Sequence, residues 1–329
     1  MIGLLGSGTW ATAIVKILLE KNDRTINWWV REEEIVETLR NEHYNPLYIS
    51  EIEIQTERTN ISSTLLDTVE ASDDIYLVIP SAFIDRTLKQ LPDGALQGKR
   101  IISAVKGLVP ETNQIVTDYL HSQYNVPYEN LCIISGPSHA EETAKQRQTY
   151  LTVASPNEAF AEEVRNHLKC KFISTVYSDS MASIQYATVL KNVYSVATGI
   201  CVGLGYGDNI IAVLISNALQ EMTMFVKTLT GVASDEVQKF AYLGDLLVTC
   251  YSQFSRNRSF GMMVGHGYSV KSIQLETNMV AEGYYAVKGV EKIRKESGLK
   301  MPIIEAVYSI LYNRKSPERA MKAVIEGLH

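Results

Sequence analysis

The sequence predicts an α/β fold in two parts: a doubly wound parallel sheet over residues 1–180, then an all-helical domain over residues 181–329. Three observations carry this. The chain has 329 residues, enough for two domains with real cores. Its first half alternates short apolar runs with amphipathic stretches. From Ser180 onward no convincing strand-like run remains.

The apolar runs are Ile2–Leu5, Thr25–Val30, Ile75–Pro80, Arg100–Val105, Leu131–Ser135, Tyr150–Ala154 and Phe172–Val176. They are rich in Ile, Val, Leu and Tyr, and the central ones are continuous rather than alternating, as parallel strands buried on both faces are. Helical stretches lie between them at Trp10–Leu19, Glu33–Asn41, Ile84–Gln90, Glu111–His121 and Glu158–Leu168. Beyond residue 180, helices are expected at Met181–Leu204, Asn209–Leu229 with Asp208 as N-cap, Ser234–Phe240, Ala281–Glu296, Ile303–Tyr312 and Pro317–Leu328. Ser316 before Pro317 is an N-cap followed by proline at the first helical position.

Composition narrows the function classes. The chain is 46% hydrophobic and 21% charged, which excludes a disordered or collagen-like chain. Its net charge of -6 argues against nucleic acid or an anionic membrane as partner, though a locally basic pocket for a small anion fits. Cys132, Cys170, Cys201 and Cys250 lie far apart without a CxxC pair, which fits a reducing cytosol. The six histidines have no ligand-like spacing, so no metal is expected. No run reaches the ~18 consecutive apolar residues of a membrane span. Met1 leads straight into a strand-like run, so neither a secretory leader nor membrane insertion is expected.

Gly6-Ser7-Gly8-Thr9-Trp10-Ala11 follows the first strand and opens the first helix. This G-x-G-x-x-A pattern is the Rossmann-type fingerprint. Gly6 allows the tight turn, Gly8 lets backbone N–H groups approach a pyrophosphate, and the small Ala11 lets helix pack on strand. Without a ligand it would be a glycine-rich turn. At the end of the second strand Arg31 and Glu32 are adjacent. Arginine suits the 2′-phosphate of NADP and an acid suits the 2′-hydroxyl of NAD. The pair leaves both nucleotides open, with Arg31 leaning toward NADP.

Lys106, and the turn from Gly136 through Ser138 to Ala140, follow two further strands, where ligands of open α/β sheets bind. Lys191-Asn192 interrupts an otherwise apolar helix. A buried ammonium is costly unless paired or poised for chemistry, and burial lowers its pKa toward neutrality. Asp245, in a similarly apolar segment, is the candidate partner; a purely structural ion pair fits these residues equally well. Ser255-Arg256-Asn257-Arg258 offers a fork and neutral donors suited to phosphate, or else is a solvated loop.

Taken together, the stretches GSGTWATA from Gly6, VKGL from Val105, ISGPSHAEE from Ile134, LKNV from Leu190, LGDLLVTC from Leu243, SRNRSFG from Ser255 and AEGYYAVK from Ala281 resemble the bacterial NAD(P)-dependent glycerol-3-phosphate dehydrogenase family nearly end to end. The resemblance implies reversible reduction of dihydroxyacetone phosphate to sn-glycerol 3-phosphate for phospholipid synthesis, by a cytoplasmic homodimer using NAD or NADP. It implies Lys191 as proton donor and acceptor with Asp245 beside it. Lys106, Gly136, Ser138, Lys191, Asp245, Ser255, Arg256 and Asn257 would hold the substrate. Besides Gly6 and Gly8, Ser7, Trp10, Arg31, Lys106, Ala140, Arg256, Val280 and Glu282 would touch the cofactor. The chain departs from the family pattern at Ala11, at His139 and at Ala241-Tyr242. Two rivals keep the fold: a 3-hydroxy acid dehydrogenase, which would not need the Ser255–Asn257 cluster, and a non-catalytic dinucleotide sensor, which would need neither Lys191 nor Asp245.

Overall fold

The computed structural model describes residues 1–21, 24–276 and 281–328. The chain folds as two compact units, Met1–Val105 with Val116–Met181, and Lys106–Ile115 with Ala182–His329. Residues 106–115, expected in the first domain, group with the second unit.

The first unit is built on an eight-stranded sheet. Six strands run parallel, side by side, as Thr59–Ser62, Ile26–Trp29, Ile2–Leu5, Asp74–Leu77, Arg100–Ser103 and Leu131–Ser135. This is the 3-2-1-4-5-6 order of a Rossmann sheet, which reverses direction beside Ile2–Leu5. Ile2–Leu5, Ile26–Trp29 and Asp74–Leu77 are buried at every position, as their continuous apolar character predicts. Leu4, Trp28, Tyr76 and Phe160 anchor the core. Each such side chain contributes roughly 1.5–3 kcal/mol by leaving water.

Two features differ from expectation. Thr59–Ser62 is an edge strand with Ile61 as its one buried residue, so it lacks an apolar run. Thr149–Ala154 pairs antiparallel with Leu131–Ser135, and Ile173–Ser178 runs parallel to Thr149–Ala154. The connection from Ser135 to Thr149 holds only the short helix Ala140–Ala144, and a parallel return needs a longer crossover. Helix Glu158–Leu168 forms where expected, with the Asn157 side chain accepting from Phe160 N at 3.1 Å.

The second unit is helical apart from a small antiparallel hairpin of Leu108–Val109 and Gln114–Ile115. Its long helices are Met181–Gly203 and Asp208–Thr230. Gly207, not Asp208, is the N-cap of the latter, and Asp208 is its first helical residue. Asp208–Thr230 is long and apolar enough to cross a membrane by length and composition, and half of its apolar window is buried. Its buried face carries Leu214, Ala218, Met222 and Phe225, and Glu221 on that face accepts from Ile303 N at 2.8 Å. A buried, hydrogen-bonded glutamate marks a core helix here rather than a lipid-facing one. Helix Pro317–Glu326 starts as expected, with the Ser316 hydroxyl accepting from Arg319 N.

Candidate active site

In the first unit the glycine loop is shaped by its own backbone. Gly6 has φ +139°, and a Cβ there would lie 2.3 Å from the Val78 carbonyl oxygen, so no other residue fits without displacing the neighbouring strand end. Ala11 is buried, and its Cβ lies 3.5 Å from where a Gly6 Cβ would stand, so the alanine in place of the family glycine fits the turn. Gly8 is different. Its φ is an ordinary -73°, it is the N-cap of helix Thr9–Leu19 without a side-chain cap, and nothing lies within 4 Å of where its Cβ would stand. Open space beside Gly8 at a helix start is the arrangement that lets a pyrophosphate approach the backbone. The loop fits a dinucleotide.

Side chains brace the loop from behind. Trp28 Nε1 donates to Gly6 O at 2.7 Å. Asn45, fully buried, donates to Ser7 O and to Thr12 Oγ1, both at 2.9 Å. Asn45 lies far along the chain in a segment without periodicity, and no local signal marks it. Trp10 packs on Ala13, Ala140 and Ala144, which brings two expected cofactor residues, Trp10 and Ala140, to one place. Gly136 has φ +125° and accepts from Ser138 Oγ at 3.1 Å. Arg31 is exposed and its guanidinium pairs with Glu32, whose other oxygen accepts from Ser7 Oγ at 2.7 Å.

The second unit holds a cluster of buried charge. Lys191 Nζ donates to Asp245 Oδ1 at 2.5 Å and to Thr249 Oγ1 at 3.1 Å, and Thr249 Oγ1 donates to Asp245 O at 2.6 Å. Lys191 and Asp245 are both buried. Lys106 Nζ stands 3.8 Å from Asp245 Oδ2, which is buried without a hydrogen-bond partner among the described residues. Burial pulls the Lys191 ammonium down to about 7, Asp245 holds it up, and Lys106 pushes it further down. A π-helical turn, Phe240–Gly244, precedes Asp245 and sets where the carboxylate enters the cluster.

A second network fixes the surroundings. Asn192 Nδ2 donates to Lys106 O at 2.7 Å, Asn257 Nδ2 donates to Asn192 Oδ1 at 3.0 Å, and Gly283 N donates to Asn257 Oδ1 at 2.9 Å. A Cβ at Gly283 would lie 2.4 Å from Asn192 O, so glycine lets helix Glu282–Glu296 close on helix Met181–Gly203. Ser255 is no loop residue. Its hydroxyl accepts from Arg258 N and caps helix Arg256–Gly265. Ser195 Oγ donates to Thr249 O at 2.8 Å, so in its 2.9 Å contact with Ser255 Oγ the proton belongs to Ser255. Arg256 is the exposed first residue of that helix, and Glu282 opens helix Glu282–Glu296. Val280 lies outside the described residues.

The structure thus brings Lys106, Lys191 and Asp245 together, and ties Asn257 to Lys106 through Asn192. Thr249 and Ser195 were not singled out from the sequence. The signal for Thr249 was its position four residues after Asp245 on one helix face. Among the described residues no group of three or more His, Cys, Asp or Glu could hold a metal.

Two family models match the chain: NAD-dependent glycerol-3-phosphate dehydrogenase N-terminus over residues 1–179, and the C-terminus of the same family over residues 180–322. The chain belongs to the NAD-dependent glycerol-3-phosphate dehydrogenase family. A glycerol-3-phosphate dehydrogenase [NAD(P)+] of Chlorobium limicola is 30% identical over 97% of this chain and 96% of its own length. One of a Thermotoga species is 32% identical over 97% and 94%. The crystal structure of glycerol-3-phosphate dehydrogenase from Coxiella burnetii superposes with a TM-score of 0.90 at 28% identity, covering 99% of this chain and 98% of that one.

Proposed function

We propose that this chain interconverts dihydroxyacetone phosphate and sn-glycerol 3-phosphate with NAD(H) or NADP(H). The observation that carries the reading is the buried Lys191 ammonium, held by Asp245 and Thr249 and pulled toward neutral pH. Bound nicotinamide supplies or takes up a hydride at substrate C2. Lys191 gives its proton to the C2 oxygen as charge builds there, and takes it back in the reverse direction. Asp245 and Thr249 hold Nζ in place. Asp245 Oδ2, paired with Lys106 at 3.8 Å but accepting no hydrogen bond among the described residues, would accept from a substrate hydroxyl. In the second unit Arg256 and Asn257, with Lys106, would hold the phosphate end and so orient the carbonyl; Gly136 and Ser138 are the candidate substrate residues of the first unit. Ser255 acts by capping the helix that carries Arg256, since its own hydroxyl proton goes to Ser195.

Gly6, Ser7, Gly8, Trp10, Arg31 and Ala140 would hold the nucleotide in the first unit, and Lys106, Arg256 and Glu282 are the candidate nucleotide residues of the second. The reading extends to a cytoplasmic homodimer supplying phospholipid synthesis. The test is loss of nicotinamide absorbance on adding dihydroxyacetone phosphate, run separately with NADH and NADPH. Oxidation of either supports the reading. Silence with both, in folded protein that still binds a nucleotide, overturns it in favour of a 3-hydroxy acid dehydrogenase or a non-catalytic dinucleotide sensor.

A further inference from the structure

We infer that Glu32 makes this chain select NAD(H) over NADP(H), an inference that rests on the dehydrogenase reading above and adds which nucleotide serves it. Strand Ile26–Trp29 lies beside Ile2–Leu5, so its carboxyl end stands next to the glycine loop. In a Rossmann crevice that end meets the adenosine ribose. The sequence places both an arginine and an acid there, and the structure shows how they are used.

Arg31 does not reach out to an anion. Its side chain is 59% exposed, yet its guanidinium is turned back onto Glu32 Oε1. Ser7, in the loop itself, spends its single hydroxyl proton on Glu32 Oε2 at 2.7 Å. The amide of Asn45 donates to Ser7 O and Thr12 Oγ1. Two donors that could otherwise turn to a 2′-phosphate, the Arg31 Nη2 and the Ser7 hydroxyl, are therefore bonded to one carboxylate. Glu33 and Glu34 follow in the first turn of helix Glu33–Glu42, so this end of the strand carries three consecutive acids after one arginine.

The two nucleotides meet this surface differently. A ribose 2′-hydroxyl is a donor, and a carboxylate has lone pairs to spare after taking one bond on each oxygen. A 2′-phosphate is an acceptor with more than one negative charge. To bind, it would stand against the Glu32 carboxylate that already holds Arg31 and Ser7, a like-charge contact at short range.

The test is direct binding, read by quenching of tryptophan emission. Trp10, Trp28 and Trp29 all lie in or beside the glycine loop, so the readout is local and independent of turnover. The protein should bind NADH at least about tenfold more tightly than NADPH, the worth of one charged hydrogen bond exchanged for a repulsion. The fragments 5′-AMP and adenosine 2′,5′-bisphosphate, which lack nicotinamide, should show the same order. Glu32→Ser should shrink the NADH preference by about tenfold, mainly through tighter NADPH binding as Arg31 and Ser7 are released. Glu32→Gln, which keeps an acceptor for Ser7 but no charge, should fall between. NADPH binding as tight as NADH in the unaltered protein, or a ratio unmoved by Glu32→Ser, overturns the assignment and leaves the dehydrogenase reading standing. Folded protein that binds neither nucleotide overturns both.

Discussion

The glycine loop and the Lys191 cluster handle polar groups in opposite ways. At the loop, the candidate groups are backbone N–H donors at a helix start, with open space beside Gly8. At the cluster, the working groups are charged side chains taken out of water and bound to each other at 2.5–3.1 Å. The first needs space, because a ligand supplies the missing partners. The second needs enclosure, because burial is what brings a lysine near neutrality. The difference teaches that a mutation's effect depends on which economy it disturbs: adding atoms harms the loop, and removing atoms harms the cluster.

The sharpest break is Lys191→Met, which keeps the aliphatic stem and deletes the proton. Turnover should drop about a thousandfold, while nucleotide affinity stays within about twofold. Steady-state rates and tryptophan quenching read the two quantities separately, and retained turnover would remove Lys191 from the chemistry. Gly6→Ala comes next. With φ +139° and a carbonyl oxygen 2.3 Å from the new Cβ, it should lower unfolding free energy by about 2–4 kcal/mol in a denaturant titration.

A smaller effect follows from pH. Because the Lys191 ammonium loses its proton at about 7, ketone reduction should fall about tenfold per pH unit above that point, while alcohol oxidation rises up to it and then levels. Opposite slopes in the two directions are the signature; equal slopes would mean that another group titrates. The smallest effect on folding belongs to Gly8→Ala, within about 0.5 kcal/mol because its backbone is ordinary and its front is open. The same change should weaken nucleotide binding, since the added methyl fills the space a pyrophosphate would take. Equal stability losses at Gly6 and Gly8 would refute the distinction between them.

What the sequence reveals follows from how each element is encoded. The central strands are continuous apolar runs, and helix Glu158–Leu168 carries a capping asparagine, so both are legible. Thr59–Ser62 is hidden because an edge strand with one buried residue has no pattern. The antiparallel turn of Thr149–Ala154 is hidden because strand composition does not record direction. The pairing of Lys191 with Asp245 could be suspected from the oddity of charges in apolar segments. Thr249 follows Asp245 by one helical turn and is legible only once Asp245 is, whereas Ser195 and Asn45 could not be suspected, because ordinary polar residues acquire their roles only when distant segments meet. Ser255–Arg258 reads as a solvated loop or a phosphate cluster, and is in fact a helix start whose serine serves as its cap.

The ten residues from Lys106 to Ile115 give the second unit a beginning that lies between the two stretches of the first. Leu108 and Asn113 press on Gly289, where a Cβ would lie 2.7 Å from Leu108 Cδ1, and the carbonyl of Lys106 is gripped by Asn192. The unit is therefore not a cassette. A cut at residue 181 strips the C-terminal piece of Lys106 and of the hairpin that seats it, and leaves that hairpin without its mate on the other fragment. A chimera between relatives that swaps the helical half has to carry this early segment from the same parent, or it grafts a lysine onto a pocket that grew up with another.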